Sequence, residues 1–231
     1  MIALQGITRH FQLGEQPVCA LEQINLTITS GEYIAVMGPS GSGKSTLLNV
    51  LGLLDRPDSG HYLLDGTDTA QLGERELATL RSRRIGFVFQ SFHLVPRLSA
   101  RENIELPLML SGMAPALRQQ RVDALLEGLA LSNRAGHKPA ELSGGQRQRV
   151  AIGRAMAMSP ALLLADEPTG NLDSHSGEEV MALLERLNRQ QGITLIVVTH
   201  DERLGARAGR QIRMNDGRIV QDGIVQDRSA P

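Results

Sequence analysis

The 231-residue sequence has one cysteine, almost no net charge and no long apolar run. A single cysteine, Cys19, excludes an internal disulfide and favours a reducing compartment. The longest apolar runs, such as residues 161–165 and 195–198, are only as long as strands, so no segment is expected to insert into a membrane. Nothing at Met1 resembles a signal peptide. We therefore expect a cytoplasmic protein.

The charge balance argues against nucleic acid as a partner. The chain has 24 Lys and Arg against 25 Asp and Glu, which gives a net charge of −1, and its isoelectric point is near 6.6. Such a chain has no overall excess of positive charge that would attract nucleic acid, and it has no polybasic tail. A local cluster of Arg81, Arg83 and Arg84 is typical of the solvated end of a helix.

One glycine-rich segment, residues 38–45, matches the pattern G-x-x-x-x-G-K-[ST] and is called the phosphate loop below. The apolar run 33–37 before it indicates a strand, and the apolar spacing over residues 47–51 indicates a helix after it. An ordinary strand-to-helix turn is the alternative, but this order of elements is the one that a nucleotide-binding loop requires. The segment therefore predicts binding of a nucleoside triphosphate.

The residue types of the loop explain the chemistry. The glycines let backbone N–H groups approach the phosphates, Lys44 supplies a positive charge, and the Ser45 hydroxyl is a ligand for Mg²⁺ at the start of the helix. The predicted nucleotide-binding residues of this segment are Gly38, Pro39, Ser40, Gly41, Ser42, Gly43, Lys44, Ser45 and Thr46.

Two carboxylates, Asp166 and Glu167, follow the apolar run 162–165. Ligands bind at the carboxyl ends of strands in open parallel sheets. Asp166 is suited to hold Mg²⁺, and Glu167 is suited to polarise a water for attack on the terminal phosphate. A turn or helix cap is the alternative, and the phosphate loop upstream makes the catalytic interpretation the better one.

The chain alternates strands and helices after an N-terminal β region. Continuous apolar runs at 85–89, 161–165 and 193–198 predict parallel strands that are buried on both faces. Residues 24–29 and 33–37 flank Ser30-Gly31-Glu32, which predicts a hairpin and an antiparallel sheet ahead of the phosphate loop. A second hairpin is predicted at residues 215–217.

Helices are predicted from apolar spacing and capping residues. The range 115–131 has a helical apolar face, and Ser99 and Ser176 each precede a glutamate by three residues, which is the spacing of a capping box. The expected organisation is one domain, with a core over 1–89 and 160–222, a helical subdomain over 90–159 and a tail over 223–231.

The segment Leu142-Ser143-Gly144-Gly145-Gln146 offers a second hydroxyl and glycine pair at the start of a helix. It indicates a second anion-binding helix terminus, with a simple helix cap as the alternative. With this segment, called the signature segment below, the chain resembles the ABC-transporter ATPase family over essentially its whole length. That resemblance implies an α/β fold, with a P-loop NTPase core, a mostly parallel sheet, an N-terminal antiparallel β subdomain and a helical subdomain that carries the signature segment.

The resemblance also implies a mechanism and further site residues. In that family, two copies form a head-to-tail dimer that encloses two ATP molecules with Mg²⁺, and Ser143, Gly144, Gly145 and Gln146 close over the ATP held by the other copy. Gln90 would reach Mg²⁺ and the attacking water, His200 would sense the terminal phosphate, and residues 171–173 would contact the partner. Phe11 would stack on adenine, although the family more often has Tyr, and core packing is its alternative role.

Several stretches, including residues 89–96, 102–107 and 166–174, look like the MacB and LolD branch of the family. This branch implies an integral membrane partner, export substrates such as lipoproteins, peptides or macrolides, and a location on the cytoplasmic face of the membrane. Because no spanning segment is found, a separate chain is favoured over a fused one, unless the sequence is a truncation of a fused chain. Residues 92–109 are expected to contact the membrane partner, with packing of the apolar residues near Pro96 under the helical subdomain as the alternative.

Three alternatives remain open from the sequence. The ATPase could drive a membrane partner in cell division or signalling, it could act on nucleic acid in DNA repair or translation, or it could bind nucleotide without turnover. The second alternative is opposed because the chain has no basic excess and lacks the long coiled-coil or zinc-bearing inserts that such ATPases carry. The presence of both Glu167 and His200 opposes the third.

Overall fold

Over residues 1–14 and 16–225, the part of the chain that it describes, the computed structural model contains ten β-strands in two sheets and seven α-helices. The strands are β1 (Ile2–Leu13), β2 (Gln16–Ile28), β3 (Tyr33–Met37), β4 (Ser59–Leu64), β5 (Thr67–Asp68), β6 (Ile85–Phe89), β7 (Leu162–Asp166), β8 (Thr194–Val198), β9 (Arg210–Asn215) and β10 (Arg218–Ile224). The helices are α1 (Lys44–Leu51), α2 (Glu74–Arg84), α3 (Ala100–Leu110), α4 (Pro115–Gly128), α5 (Gly144–Met156), α6 (Ser174–Gln191) and α7 (Glu202–Gly205). Within the described ranges, no helix has both the length and the apolar character needed to cross a membrane.

The larger sheet has the strand order β10-β9-β3-β8-β7-β6. All its neighbouring strands are parallel except the β9–β10 pair. Residues 162–165 of β7 are 0% exposed, as expected of a parallel strand covered on both faces. The sequence prediction of buried parallel strands is therefore confirmed, and the carboxyl ends of β3, β7 and β8 share one edge of the sheet.

The smaller sheet is antiparallel, with the order β2-β1-β4-β5. The predicted hairpin at Ser30-Gly31-Glu32 is wrong, because β2 pairs with β1 whereas β3 pairs with β8 and β9. The burial patterns explain the difference. β2 alternates between buried and exposed residues over its second half, but Ile34–Met37 are buried without interruption and need cover on both faces. The 30–32 segment thus carries the chain from one sheet to the other.

The helices α3, α4 and α5 lie between β6 and β7 in the chain. Ser99 caps α3 in the predicted capping box, in which the Glu102 carboxylate accepts from the Ser99 backbone N–H at 2.7 Å. α5 lies close to β6, because a Cβ on Gly86 would come within 2.7 Å of the Ala155 carbonyl oxygen. A shared apolar core, which includes Ile104, Val150 and Leu163, joins these helices to the larger sheet.

Two predicted helix boundaries are wrong. The helix α6 begins at Ser174, where Asp173 is the N-cap residue and accepts from the Ser176 N–H at 2.9 Å, so Ser176 lies inside the first turn. Aspartate caps a helix as well as serine does, and here it comes earlier in the chain. α4 ends at Gly128, and the apolar pattern continues to Leu131 because that side chain is buried just beyond the helix.

The C-terminal hairpin and the arginine cluster test three further predictions. The β9–β10 hairpin turns at residues 215–217 as predicted. β10 extends to Ile224, so the expected tail from 223 starts too early, and residues 226–231 of that tail lie outside the described part. Arg81, Arg83 and Arg84 form the last turn of α2, which confirms the predicted helix end. The division into core and helical subdomain stays a prediction.

Candidate functional site

The phosphate loop connects β3 to α1 in a conformation that depends on glycine. Gly41 has φ +80° and Gly43 has φ +97°, a region that residues with a Cβ rarely adopt. Lys44 is the first residue of α1, and its Nζ donates to the carbonyl oxygens of Gly38 at 2.9 Å and Pro39 at 2.7 Å. The ammonium group therefore already lies over the loop on which phosphates would bind.

A cleft of about 640 Å³ opens at this loop. It brings together residues that are far apart in the sequence, and most of those that line it were predicted from their motifs. The residues that line it are Val18, Cys19, Ala20, Gly38, Pro39, Ser40, Gly41, Gly43, Lys44, Ser45, Thr46, Asp166, Glu167, Val198 and His200. Ser42, which was also predicted to bind nucleotide, is not among the lining residues and is only 2% exposed.

One wall of the cleft was missed by sequence reasoning. Val18, Cys19 and Ala20 belong to β2 of the antiparallel sheet. In the chain, the rest of β2 and the whole of β3 separate them from the phosphate loop. These residues carry no motif, and their position depends on how the two sheets pack. No local sequence signal could have identified them.

The two predicted carboxylates lie at the end of β7, beside the phosphate loop. Burial and the neighbouring charge of Glu167 raise the pKa of Asp166, and the positive charge of Lys44 partly opposes this effect. A nearby cation stabilises the ionised form of a half-buried carboxylate that lies next to a second one. Together with the exposed hydroxyl of Ser45, this donor set fits Mg²⁺, which prefers oxygen ligands.

Glu167 is held in a strained position beside His200. Its φ is +44°, its N–H donates to the Val198 carbonyl at 3.0 Å, and its Oε1 lies 2.7 Å from Nδ1 of His200. The His200 side chain is 79% exposed, whereas that of Glu167 is only 20% exposed. A left-handed backbone at a residue other than glycine or asparagine is uncommon and is often found at functional sites.

We predict that His200 titrates above its ordinary pKa of 6.5, because the hydrogen bond to Glu167 and its charge favour the imidazolium form. The contact then stabilises the folded chain fully below about pH 6.5 and loses this effect as the pH rises through the higher, folded pKa. NMR titration of the imidazole measures this value. In Glu167→Gln the pKa should fall towards the ordinary value, and identical titration curves in both proteins would contradict the contact.

Gln90 turns towards another loop and does not line the cleft in the described part of the chain. Its Nε2 lies 3.4 Å from Oδ1 of Asn171, and Nδ2 of Asn171 donates to the Gln90 carbonyl at 3.1 Å. A Cβ on Gly170 would lie 2.6 Å from Nε2 of Gln90. The predicted role of Gln90 at Mg²⁺ therefore stays a prediction, and its observed contact is with the 170–171 turn.

The signature segment begins α5, where Ser143 is the N-cap residue. Ser143 Oγ accepts from the Gln146 N–H at 3.3 Å, and Gln146 Oε1 accepts from the Ser143 N–H at 3.0 Å. Within the described residues, none of the signature segment lines the cleft at the phosphate loop. It packs instead beside the 171–173 segment, since a Cβ on Gly144 would lie 3.1 Å from Leu172. The two predicted anion sites of one chain thus do not share one cleft.

Phe11 lies on the exposed side of the antiparallel sheet. Its residue exposure is 37%, so the core-packing alternative is wrong. It pairs across the sheet with Val18, which lines the cleft, and the Arg9 guanidinium lies 4.9 Å from the centre of its ring. The predicted contact of Phe11 with adenine stays a prediction.

The strand–loop–helix at residues 33–51, together with the two carboxylates at the end of β7 in the same parallel sheet, defines a P-loop nucleotide-binding domain. The sequence model described as ABC transporter matches residues 21–170. The chain belongs to the ABC transporter family, which confirms the resemblance found in the sequence.

Curated relatives match the whole chain but are much longer. Macrolide export ATP-binding/permease protein MacB 2 of Aeromonas hydrophila is 53% identical over 231 residues, which cover 100% of this chain and 36% of that protein. The probable syringafactin export ATP-binding/permease protein SyfD of Pseudomonas syringae is 51% identical over 228 residues, 99% of this chain and 35% of that protein. The chain thus spans about a third of the length of these relatives.

Solved structures confirm the predicted fold class. The ATP-binding cassette MJ0796, in a dimeric post-hydrolysis state bound to ADP and Pi, superposes with a TM-score of 0.90 at 44% sequence identity. The match covers 98% of this chain and 99% of that one. A second dimeric structure of MJ0796, a bacterial ABC transporter cassette, gives the same TM-score at 45% identity.

Proposed function

We propose that this chain is the ATP-hydrolysing domain of an ABC transporter of the MacB type. The observation that carries the proposal is the cleft in which the phosphate loop, Asp166, Glu167 and His200 come together while the signature segment lies elsewhere. A complete site then needs the signature segment of a second copy. The dimeric cassettes that this chain resembles support such an arrangement.

The residues of the cleft divide the chemistry among them. Backbone N–H groups of the phosphate loop and Lys44 hold the β- and γ-phosphates of ATP. Ser45 and Asp166 would hold Mg²⁺, which would supply positive charge against the phosphates. Glu167 accepts a proton from the attacking water, and His200 donates a hydrogen bond towards the transferred phosphoryl group. The short contact between Glu167 and His200 keeps both side chains at the same end of the cleft.

Two copies are proposed to bind ATP head to tail, with Ser143 of one copy over the phosphate loop of the other. A ligand drives association only if it favours the associated state. Sedimentation velocity of the Glu167→Gln chain, which should consume ATP only slowly, with ADP and with Mg·ATP tests this. We expect a monomer with ADP and a dimer with ATP, and equal association under both conditions would contradict the two-copy site.

The dimer is proposed to drive a membrane partner through the loop that follows β6. Two arginines of α5 fix this loop. Arg154 donates to the carbonyl oxygens of Phe92 at 3.0 Å and His93 at 2.5 Å, and the guanidinium of Arg147 lies 5.1 Å from the centre of the Phe92 ring. Both loop residues have positive φ values, +60° and +49°. Because Ser143 begins the same helix, movement of the signature segment would move this loop.

Charge reversal in the exposed part of this loop should uncouple ATP hydrolysis from the membrane partner. Arg97 is exposed, and a glutamate there would place the opposite charge in the proposed contact. We expect Arg97→Glu to reduce partner-stimulated hydrolysis by about tenfold or more, with basal hydrolysis unchanged. The assay compares the full transporter with and without its membrane part. The matched control is Arg186→Glu, on the exposed face of α6, and equal stimulation in both variants would remove the coupling role.

Export as the transport direction is supported by the relatives, whose names describe macrolide and syringafactin export. We propose that this chain powers export of a comparable molecule, from the cytoplasmic face of the membrane and in contact with an integral membrane permease. Purification of the native complex and identification of its membrane part test this. A membrane partner without any transported molecule would favour the cell-division or signalling role instead.

A further inference from the structure

The turn of the β9–β10 hairpin lies between the phosphate loop and the antiparallel sheet. Asp216 has φ +46° and Gly217 has φ +73°, the two left-handed residues expected of a type I′ hairpin turn. The N–H of Gly217 donates to the Ser42 carbonyl at 3.1 Å, and the Gly217 carbonyl accepts from the Glu22 N–H at 2.8 Å. Gly217 thus links the phosphate loop to β2 through backbone hydrogen bonds on both sides.

The three backbones are packed without room for side chains. A Cβ on Gly43 would come within 2.3 Å of the Ala20 carbonyl oxygen and 3.4 Å of the Gly217 Cα. A Cβ on Gly217 would lie 3.0 Å from the same Ala20 oxygen, a distance at which one of the two must move. A Cβ on Gly38 would lie 2.2 Å from the Met214 carbonyl oxygen, so the end of β9 also contacts the loop.

An ion pair reinforces this contact from outside. The guanidinium of Arg218, next to Gly217, donates to both carboxylate oxygens of Glu22, at 3.0 Å from Nε and 2.5 Å from Nη2. Because both side chains are largely exposed, the pair orients the turn more than it stabilises the fold. The turn is therefore attached to β2 by both backbone and side chain.

We propose that Gly217 is a positioning residue for nucleotide binding. It fixes the phosphate loop relative to Val18, Cys19 and Ala20, which line the same cleft. A loop that is held in its binding conformation loses less freedom when the ligand binds. The inference rests on the proposed ATP site and adds to it an element, the β9–β10 turn, that does not itself touch the cleft.

The test compares Gly217→Ala with Gly66→Ala. Gly66 has φ +81° and no atom within 4 Å of its Cβ position, so alanine there meets the same backbone strain without any contact to the loop. We expect Gly217→Ala to raise the KM for ATP by about tenfold or more, with a change of kcat of less than about threefold. Gly66→Ala should leave the KM unchanged, and thermal unfolding of both variants reports the loss of stability.

Equal KM values in the two variants would overturn the inference and assign Gly217 a purely structural role. If Gly217→Ala does not fold, amide hydrogen exchange of the unaltered chain decides. Addition of Mg·ATP should slow exchange at the Gly217 and Glu22 amides together with the phosphate-loop amides. Slowing in the loop alone would overturn the inference and leave the ATP site intact. No slowing anywhere would overturn the proposed ATP site and, with it, the inference.

Discussion

The variant Glu167→Gln is expected to bind ATP as the unaltered chain does and to hydrolyse it on the order of 10²–10⁴ times more slowly. The amide keeps the shape of the side chain but cannot accept a proton from water at neutral pH. Because ATP is then bound and not consumed, the two-copy complex should accumulate. Phosphate release under saturating ATP measures the rate, and equilibrium binding of labelled ATP measures the affinity.

A matched control separates this effect from a general loss of charge. Glu127 lies exposed on α4, away from the residues that line the cleft, and Glu127→Gln should hydrolyse ATP at the unaltered rate. Hydrolysis by Glu167→Gln within about threefold of that control, a difference far smaller than a lost general base causes, would contradict the role of Glu167.

The second large effect is expected from Lys44→Ala. Its Nζ lies over the phosphate loop, where it donates to the carbonyl oxygens of Gly38 and Pro39. Replacement by alanine removes the positive charge and the charged hydrogen bonds to the phosphates, which we expect to weaken ATP binding by on the order of 100-fold or more. Isothermal titration with Mg·ATP measures this loss.

The chain offers one natural control, because Lys138 is its only other lysine. Lys138 is exposed and precedes the signature segment, and Lys138→Ala should keep its affinity for ATP. Thermal unfolding without nucleotide should be similar for both variants, since the two carbonyl partners of Lys44 can bind water instead. ATP affinity of Lys44→Ala equal to that of Lys138→Ala would contradict the assignment of the loop.

The sequence indicated those parts of the candidate site in which the functional residues lie next to the strand that positions them. The phosphate loop directly follows β3, and the Asp166–Glu167 pair lies at the end of β7, so in each case a short segment contains both the positioning element and the functional group. The parallel sheet was predictable for a similar reason, because uninterrupted apolar runs such as 162–165 are buried on both faces.

Other features depend on packing between distant segments. The wall formed by Val18–Ala20 exists because β2 of one sheet approaches the phosphate loop of the other, and no local pattern encodes that approach. The 30–32 turn has the composition of a hairpin turn. However, β3 is apolar throughout and must be covered on both faces, so it pairs within the larger sheet and not with β2. The left-handed backbone of Glu167 also escapes sequence reasoning, since glutamate has no preference for it.

The most direct test of the account is a structure of the Glu167→Gln chain with Mg·ATP. We predict a head-to-tail pair in which Ser143 Oγ of one copy lies about 3 Å from an oxygen of the γ-phosphate that Lys44 of the other copy holds. A nucleotide-bound structure in which no assembly of two copies brings Ser143 to that phosphate would contradict the shared site on which the proposed function rests.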